Sequence, residues 1–224
     1  MSVLKAFEYE QLDSTQTEAW RLVDGQTPKP FYVHAKDQSA GRGRMGRKWE
    51  GERGRSLLLS LVCEVELKSM PGLSLGVGLF AAEYFSSLPL QLKWPNDLML
   101  YDSKVGGILI ESRIHGPLAE VVIGIGINED GIPNTNYRGV GQSIPPAEFA
   151  IFIHDRLLDF LRLGFASFRS AYQARLWRNQ QKITYLLGNE QKEVLIRGID
   201  ETGQLLIEDN QVLELRSTGE IALV

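Results

Sequence analysis

Three apolar runs, at residues 90–94, 104–113 and 120–128, are separated by links too short to hold a crossover helix. Parallel neighbours need a dozen or more linking residues, so these strands are expected to pair antiparallel. Their turns fall from Pro95-Asn96-Asp97 to Ser103 and at His115-Gly116-Pro117. Upstream, residues 3–12 and 31–35 have strand composition and are separated by a helix that opens at Asp13, Ser14 or Thr15. Asp13-Ser14-Thr15 offers an N-cap there and Glu18 stands close enough to help. Residues 56–67 read as a long strand with one end deep in a sheet, and 73–88 as a helix despite Gly76 and Gly78. Helical spacing returns from Ser143 to Gly164 and again over 168–177. Beyond Gln180 the texture changes to short strands at 182–187, 193–199, 204–208, 211–215 and 221–224, broken at Gly188-Asn189, Asp209-Asn210 and Thr218-Gly219. The expectation is an α+β domain over residues 1–180 with a small β-barrel or sandwich over 181–224 packed on it.

Composition narrows the class. With 43% hydrophobic residues, 23% charged residues, 22 Gly and 9 Pro, the chain is neither low-complexity nor collagen-like nor a coiled coil. No uninterrupted apolar stretch approaches the ~18 residues of a membrane span, and the first residues lack a signal-peptide pattern, so a cytoplasmic protein without membrane partners is expected. A single cysteine, Cys63, excludes an intrachain disulfide and a cysteine-based zinc site; inside its apolar run it reads as a buried strand residue.

The charge is unevenly placed. Residues 41–55 carry Arg42, Arg44, Arg47, Lys48, Arg53 and Arg55 against Glu50 and Glu52, a net +4 in a chain whose total is −4. Five glycines punctuate the same stretch, which reads as a mobile loop for a small polyanion such as a nucleoside triphosphate, or as an ordinary solvated basic loop. Gly41 to Gly46 formally matches G-x-G-x-x-G, but the dinucleotide fingerprint needs a helix directly after it, and the charged Lys48-Trp49-Glu50-Gly51 run does not promise one. No P-loop and no G-x-S-x-G is present, and His34, His115 and His154 are scattered without partners at ligand spacing.

Five segments remain: Asp13-Ser14-Thr15-Gln16, Gln38 to Trp49, Lys93-Trp94-Pro95-Asn96-Asp97, Lys104 to Glu111 and Gly124-Ile125-Gly126-Ile127-Asn128. In that order they resemble the biotin protein ligases, and the segment after 180 is similar to that family's small C-terminal domain. The resemblance implies a class II aminoacyl-tRNA synthetase-like catalytic domain with a mixed sheet and an SH3-like barrel. It also implies ATP, Mg2+ and biotin as ligands and biotin carboxyl carrier protein as acceptor. Activating a carboxylate on the α-phosphate of ATP brings like charges together, which cations must neutralise and hold in line. Lys104, Arg44 and Lys93 match the groups carrying the chemistry. Ser14, Thr15, Gln16, Gln38, Gly41, Arg42, Gly43, Arg44, Lys104, Gly107, Gly124 and Gly126 match the biotin side. Arg42, Arg44, Arg47, Trp49, Lys93, Asn96 and Asn128 match the ATP side, and Asp97 the metal-holding acid.

Plainer readings stand beside these. Ser14 and Thr15 also serve as an N-cap, Asp97 as a turn aspartate, and Gly124-x-Gly126 as a strand bulge. Gln16 departs from the family's usual asparagine. Because the ligase-like segments begin at Asp13, no DNA-binding extension is expected, and a homodimer through a sheet edge, common in the family, is left open. The alternatives are a biotin- and nucleotide-binding module without turnover, or a lipoate or octanoate ligase of the same fold.

Overall fold

Strands β1 (Lys5–Tyr9) and β2 (Phe31–Ala35) lie parallel, Lys5 opposite Phe31, with helix α1 (Thr15–Asp24) as the crossover between them. The computed structural model describes residues 4–217 except 50, 52, 133, 134, 136, 188 and 189, together with 220 and 221. Glu50, Glu52, the expected turns at Gly188-Asn189 and Thr218-Gly219, and the ends of the expected strands at residue 3 and at 222–224 therefore lie outside the described residues.

Next come β3 (Ser56–Glu66), α2 (Leu73–Tyr84), β4 (Leu90–Lys93), β5 (Asp97–Leu100), β6 (Ser103–His115) and β7 (Leu118–Asn128). The seven strands form one mixed sheet in the order β1-β2-β3-β7-β6-β5-β4, antiparallel in every pair but the first. The link expected to be a turn between residues 95 and 103 contains an extra strand. Leu98, Met99 and Leu100 are buried, and β5 pairs Asp97 with both Lys93 and Gly107. Asp97 thus opens a strand rather than sitting in a turn.

Helices α3 (Pro146–Leu163) and α4 (Arg169–Ala174) follow, the latter shorter than the expected 168–177. Odd-numbered β3 residues, Leu57 to Val65, join the large core with α2 and α3, where Phe80 meets Phe160 and Phe168 edge-on at 6.3 and 5.3 Å. On the opposite face Val62 packs with Ala19 and Val23 of α1, and Ser60 lies beneath the start of that helix. Alternation along one strand therefore gives β3 an apolar back and a mixed front, where Ser56 and Ser60 alternate with Leu58 and Val62.

A second sheet, in the order β11-β10-β9-β8-β12, is built from β8 (Lys182–Leu187), β9 (Glu190–Ile199), β10 (Leu205–Asp209), β11 (Val212–Arg216) and β12 (Glu220–Ile221). Its Ile183, Val194, Ile196, Leu205 and Ile207 belong to the same continuous core as the first sheet. Cys63 is buried as expected, and burial pushes its thiol pKa up to about 12. Among the described residues no helix is long and apolar enough to cross a membrane.

Candidate functional site

Helix α1 begins at the front of the sheet, and its capping differs from expectation. Ser14 is the N-cap residue but makes no side-chain cap bond; Glu18 instead accepts from Tyr9 Oη at 3.0 Å and pairs with Arg21. The first-turn N–H of the buried Thr15 is satisfied from elsewhere in the chain. Gln38 Oε1 accepts from Thr15 N at 2.6 Å and from Thr15 Oγ1 at 3.1 Å. Gln38 thereby ties the loop after β2 to the helix start and leaves its amide nitrogen beside Gly41.

That loop folds into a tight hairpin. Gly43 N donates to Arg47 O at 2.8 Å and Trp49 N to Gly41 O at 2.9 Å, around a short 3-10 turn at Arg44–Gly46. Two side chains carry it across the sheet. Arg44 Nη1 donates to Asn96 Oδ1 at 2.9 Å, and Arg42 Nη2 reaches Glu111 Oε1 at 2.6 Å. Beneath lies a cavity of about 140 Å³, with Thr15, Gln16 and Ser60 at one end and Asn96, Asp97 and Lys104 at the other.

The second end is charged. Asp97 Oδ1 accepts from Lys104 Nζ at 2.6 Å, while Asp97 Oδ2 lies 3.7 Å from Lys93 Nζ. All three side chains are largely buried, and one carboxylate between two ammonium groups leaves a net positive charge where water screens it poorly. Arg42, Arg44, Arg47 and Lys48 line the roof. The cleft is built to attract an anion.

β7 supplies the middle of the floor. A Cβ on Gly126 would lie 2.5 Å from the Trp49 ring, and one on Gly124 would lie 2.7 Å from Gln16 Oε1. Only glycine lets those two side chains come so close. The Gln16 amide is spent on the fold: Nε2 donates to Val122 O at 3.1 Å and Oε1 accepts from Ser60 Oγ at 3.1 Å. Asn128 is buried at the end of β7, where its Oδ1 accepts from Ser56 Oγ at 3.2 Å. Among the described residues, Ser14 Oγ and Trp49 Nε1 are buried without a hydrogen-bond partner, an expensive state that a polar ligand can relieve.

The structure brings together Thr15, Gln16, Gln38, Arg42, Gly43, Arg44, Arg47, Trp49, Asn96, Asp97, Lys104, Gly107, Gly124, Gly126 and Asn128 along the cavity. Ser14, Gly41 and Lys93 stand just behind that wall and touch it through Thr15, Gln38 and Asp97. Ser60 and Tyr137 line the cavity but were not anticipated. Ser60 carries a readable signal, being the one polar residue within the apolar run 57–63; Tyr137 carries none.

As for a divalent cation, no group of three or more His, Cys, Asp or Glu side chains gathers among the described residues. Among these residues Asp97 is the one carboxylate lining the cavity, and both its oxygens face lysine ammonium groups, so a magnesium ion there would rely on phosphate oxygens and water for the rest of its shell.

Residues 8–128 match the Biotin/lipoate A/B protein ligase family. The chain is 33% identical over 208 residues to the bifunctional ligase/repressor BirA of Escherichia coli (strain K12), covering 84% of this chain and 65% of that protein. It thus spans just under two thirds of that relative's length. It is 30% identical to the biotin--[acetyl-CoA-carboxylase] ligase of Paracoccus denitrificans, over 87% of this chain and 90% of the relative. The biotin protein ligase of Aquifex aeolicus, solved in complex with biotin and ATP, superposes with a TM-score of 0.79 at 26% identity, covering 97% of each chain. With its cationic cleft, glycine-floored strand and arginine hairpin in place, the chain belongs to the biotin/lipoate A/B protein ligase family.

Proposed function

We propose that the chain activates biotin as biotinyl-5′-adenylate and passes it to a lysine of a biotin carboxyl carrier protein. The observation that carries this is the pairing of a buried Lys93–Asp97–Lys104 cluster with an arginine hairpin closed over the same cavity. The relatives' names supply the substrate: a ligase of biotin to acetyl-CoA-carboxylase in Paracoccus denitrificans, and a structure holding biotin and ATP in Aquifex aeolicus.

In the first step a biotin carboxylate oxygen attacks the α-phosphorus of ATP. The new O–P bond replaces the bond to the β-phosphate bridge, and pyrophosphate leaves. Lys104 and Arg44 draw the carboxylate and the phosphate together and offset the charge that builds on the transferring group; Lys93 supports them from behind Asp97. Thr15, Gln38 and the hairpin backbone at Gly41, Arg42 and Gly43 hold the ureido ring, with Ser14 adding its free hydroxyl. Gln16, Gly124, Gly126 and Gly107 shape the floor. Arg42, Arg47, Trp49, Asn96 and Asn128 hold the nucleotide. Asp97 would hold magnesium, which when bound neutralises phosphate charge.

In the second step the acceptor amine attacks the acyl carbon, the C–N bond forms, the bond to AMP breaks, and the amine loses its proton. No side chain of the enzyme is acylated. The hairpin keeps water from the mixed anhydride until the amine arrives.

The same proposal reads residues 1–180 as a class II aminoacyl-tRNA synthetase-like catalytic domain and 181–224 as an SH3-like one. It places the chain in the cytoplasm and allows a homodimer. The test is mass spectrometry of a carrier domain incubated with the protein, biotin and MgATP. A gain of one biotin amide that disappears with Lys104→Ala supports the proposal. Pyrophosphate release without that gain means a different acceptor, and neither signal refutes it.

A further inference from the structure

Lys93, Asn96 and Asp97 flank one residue whose side chain points away from the cleft. The Trp94 indole, 2% exposed, donates its N–H to the main-chain carbonyl of Gly203 at 3.1 Å, across 109 residues of sequence. Gly203 lies in the turn between β9 and β10 of the second sheet, with φ at +89°. A Cβ at that position would stand 3.1 Å from the Gly72 Cα at the start of α2, so a larger residue would push the turn and the start of that helix apart.

Asp200 shapes this turn. Its Oδ1 accepts from Thr202 N at 2.9 Å, Thr202 Oγ1 at 2.9 Å and Gln204 N at 2.8 Å, and the Gly203 N–H bonds back to Asp200 O at 3.2 Å. The other end of the same strand is gripped by main chain, through Leu92 N to Arg175 O at 2.8 Å and Trp177 N to Leu92 O at 3.0 Å. Strand β4 and its continuation are therefore fixed on both sides of Lys93, and one of those fixings belongs to the second sheet.

We infer that the 200–204 turn of the small sheet sets where Lys93, Asn96 and Asp97 stand, with Trp94 and Asp200 as positioning residues for the nucleotide step. This rests on the proposal that ATP binds against Lys93, Asn96 and Asp97. The buried bond is specific: without the indole N–H, the Gly203 carbonyl loses its partner and the segment can shift by the fraction of an ångström that in-line chemistry does not tolerate. The ureido end of biotin, held by Thr15, Gln38 and the hairpin backbone, lies away from the change, whereas Arg44 and Lys104, bonded to Asn96 and Asp97, tie its carboxylate end to it.

The test uses the full chain with Trp94→Phe, Asp200→Ala, Asp200→Asn and Lys93→Ala. Biotin-dependent pyrophosphate release is measured against ATP concentration, and biotin binding by calorimetry. Trp94→Phe and Asp200→Ala are each expected to raise KM for ATP about ten-fold, the scale of one buried hydrogen bond, with a much smaller loss of biotin affinity. Together they should cost less than the two effects combined, because both act through one contact. Asp200→Asn, whose amide oxygen can still accept from the turn's main chain, should stay near the parent.

Equal losses of ATP and biotin affinity would overturn the inference, as would a lower melting temperature with an unchanged KM for ATP. Should Trp94→Phe fail to fold, the Asp200 pair decides the question alone. Lys93→Ala separates the two levels. If it leaves ATP dependence intact, the proposed nucleotide site is wrong and the inference falls with it. If it raises KM while Trp94→Phe and Asp200→Ala do not, only the positioning role is wrong.

Discussion

Replacing Gly126 by alanine puts a methyl group where the Trp49 ring already sits. The new Cβ would lie 2.5, 2.6 and 2.9 Å from three ring carbons, whereas carbon atoms in contact settle at about 3.5–4.0 Å. The indole must withdraw by about 1 Å. Its main chain is pinned by the Trp49 N to Gly41 O bond, so the movement falls on the side chain and on the cations around it. Overpacking of this kind costs about 1–3 kcal/mol. Against it stands a gain of about 0.4–1 kcal/mol, because alanine leaves the unfolded chain fewer conformations to lose. A net loss of roughly 1–2 kcal/mol is expected, worth about 2–4 °C of melting temperature per kcal/mol at this chain length. Thermal unfolding of the parent, Gly126→Ala, Trp49→Ala and the double variant completes the cycle. In the Trp49→Ala background the methyl group meets no ring, so Gly126→Ala should become neutral or slightly stabilising. If Gly126→Ala costs the same with and without Trp49, the packing explanation is refuted.

Lys104→Ala should abolish biotin-dependent pyrophosphate release, and near-normal turnover would remove Lys104 from the proposed chemistry. Arg44→Ala breaks the hairpin's bond to Asn96; free biotinyl-adenylate should then escape into solution, detected as labelling of bystander lysines, and no rise in labelling would count against the hairpin as a water shield. Cys63, buried with its thiol pKa pushed up to about 12, should resist iodoacetamide at pH 8 in the native protein and react on unfolding; rapid native alkylation would contradict the core placement. Burial alone would raise the pKa of Asp200, but donors from Gln204, Thr202 and Gly203 bring it below its ordinary 3.8. A depressed folded-state value gives stability that is complete above about pH 3.8 and is lost as pH falls through that lower value. The melting-temperature gap between the parent and Asp200→Ala should therefore narrow in that acid range, and a gap that widens would reverse the sign.

Much of the site is written locally. Charge and glycine placement in 41–55 announce a loop for an anion, and the order of short motifs carries the resemblance. What escaped was set by partners distant in sequence. Ser14, Thr15 and Glu18 read as a self-contained cap, yet the helix start is closed by Gln38, and Glu18 turns to Tyr9. Residues 97–100 read as turn because Pro95-Asn96-Asp97 is a strong turn signal, and a four-residue strand gives little alternation to set against it. Gln16 reads as a biotin-side residue in place of asparagine and does line the cavity, but its amide bonds to Val122 and Ser60 are invisible in the sequence because only the completed sheet brings those strands near.

The sheet order also fixes the sequence of assembly. Strands β4 to β7 form a meander whose neighbours in space are neighbours in sequence, and such contacts close cheaply and early. β3 must wait for β7, since even its nearest pairing, Glu66 with Leu118, closes a loop that contains α2 and strands β4 to β6. The arginine hairpin waits longer still, because its anchors Glu111 and Asn96 belong to the finished meander. The cleft should accordingly form last during folding and be the first part lost. The proposed ligands, biotin and nucleotide, would find their site only in the completed molecule, and should then slow its unfolding while leaving the speed of folding untouched.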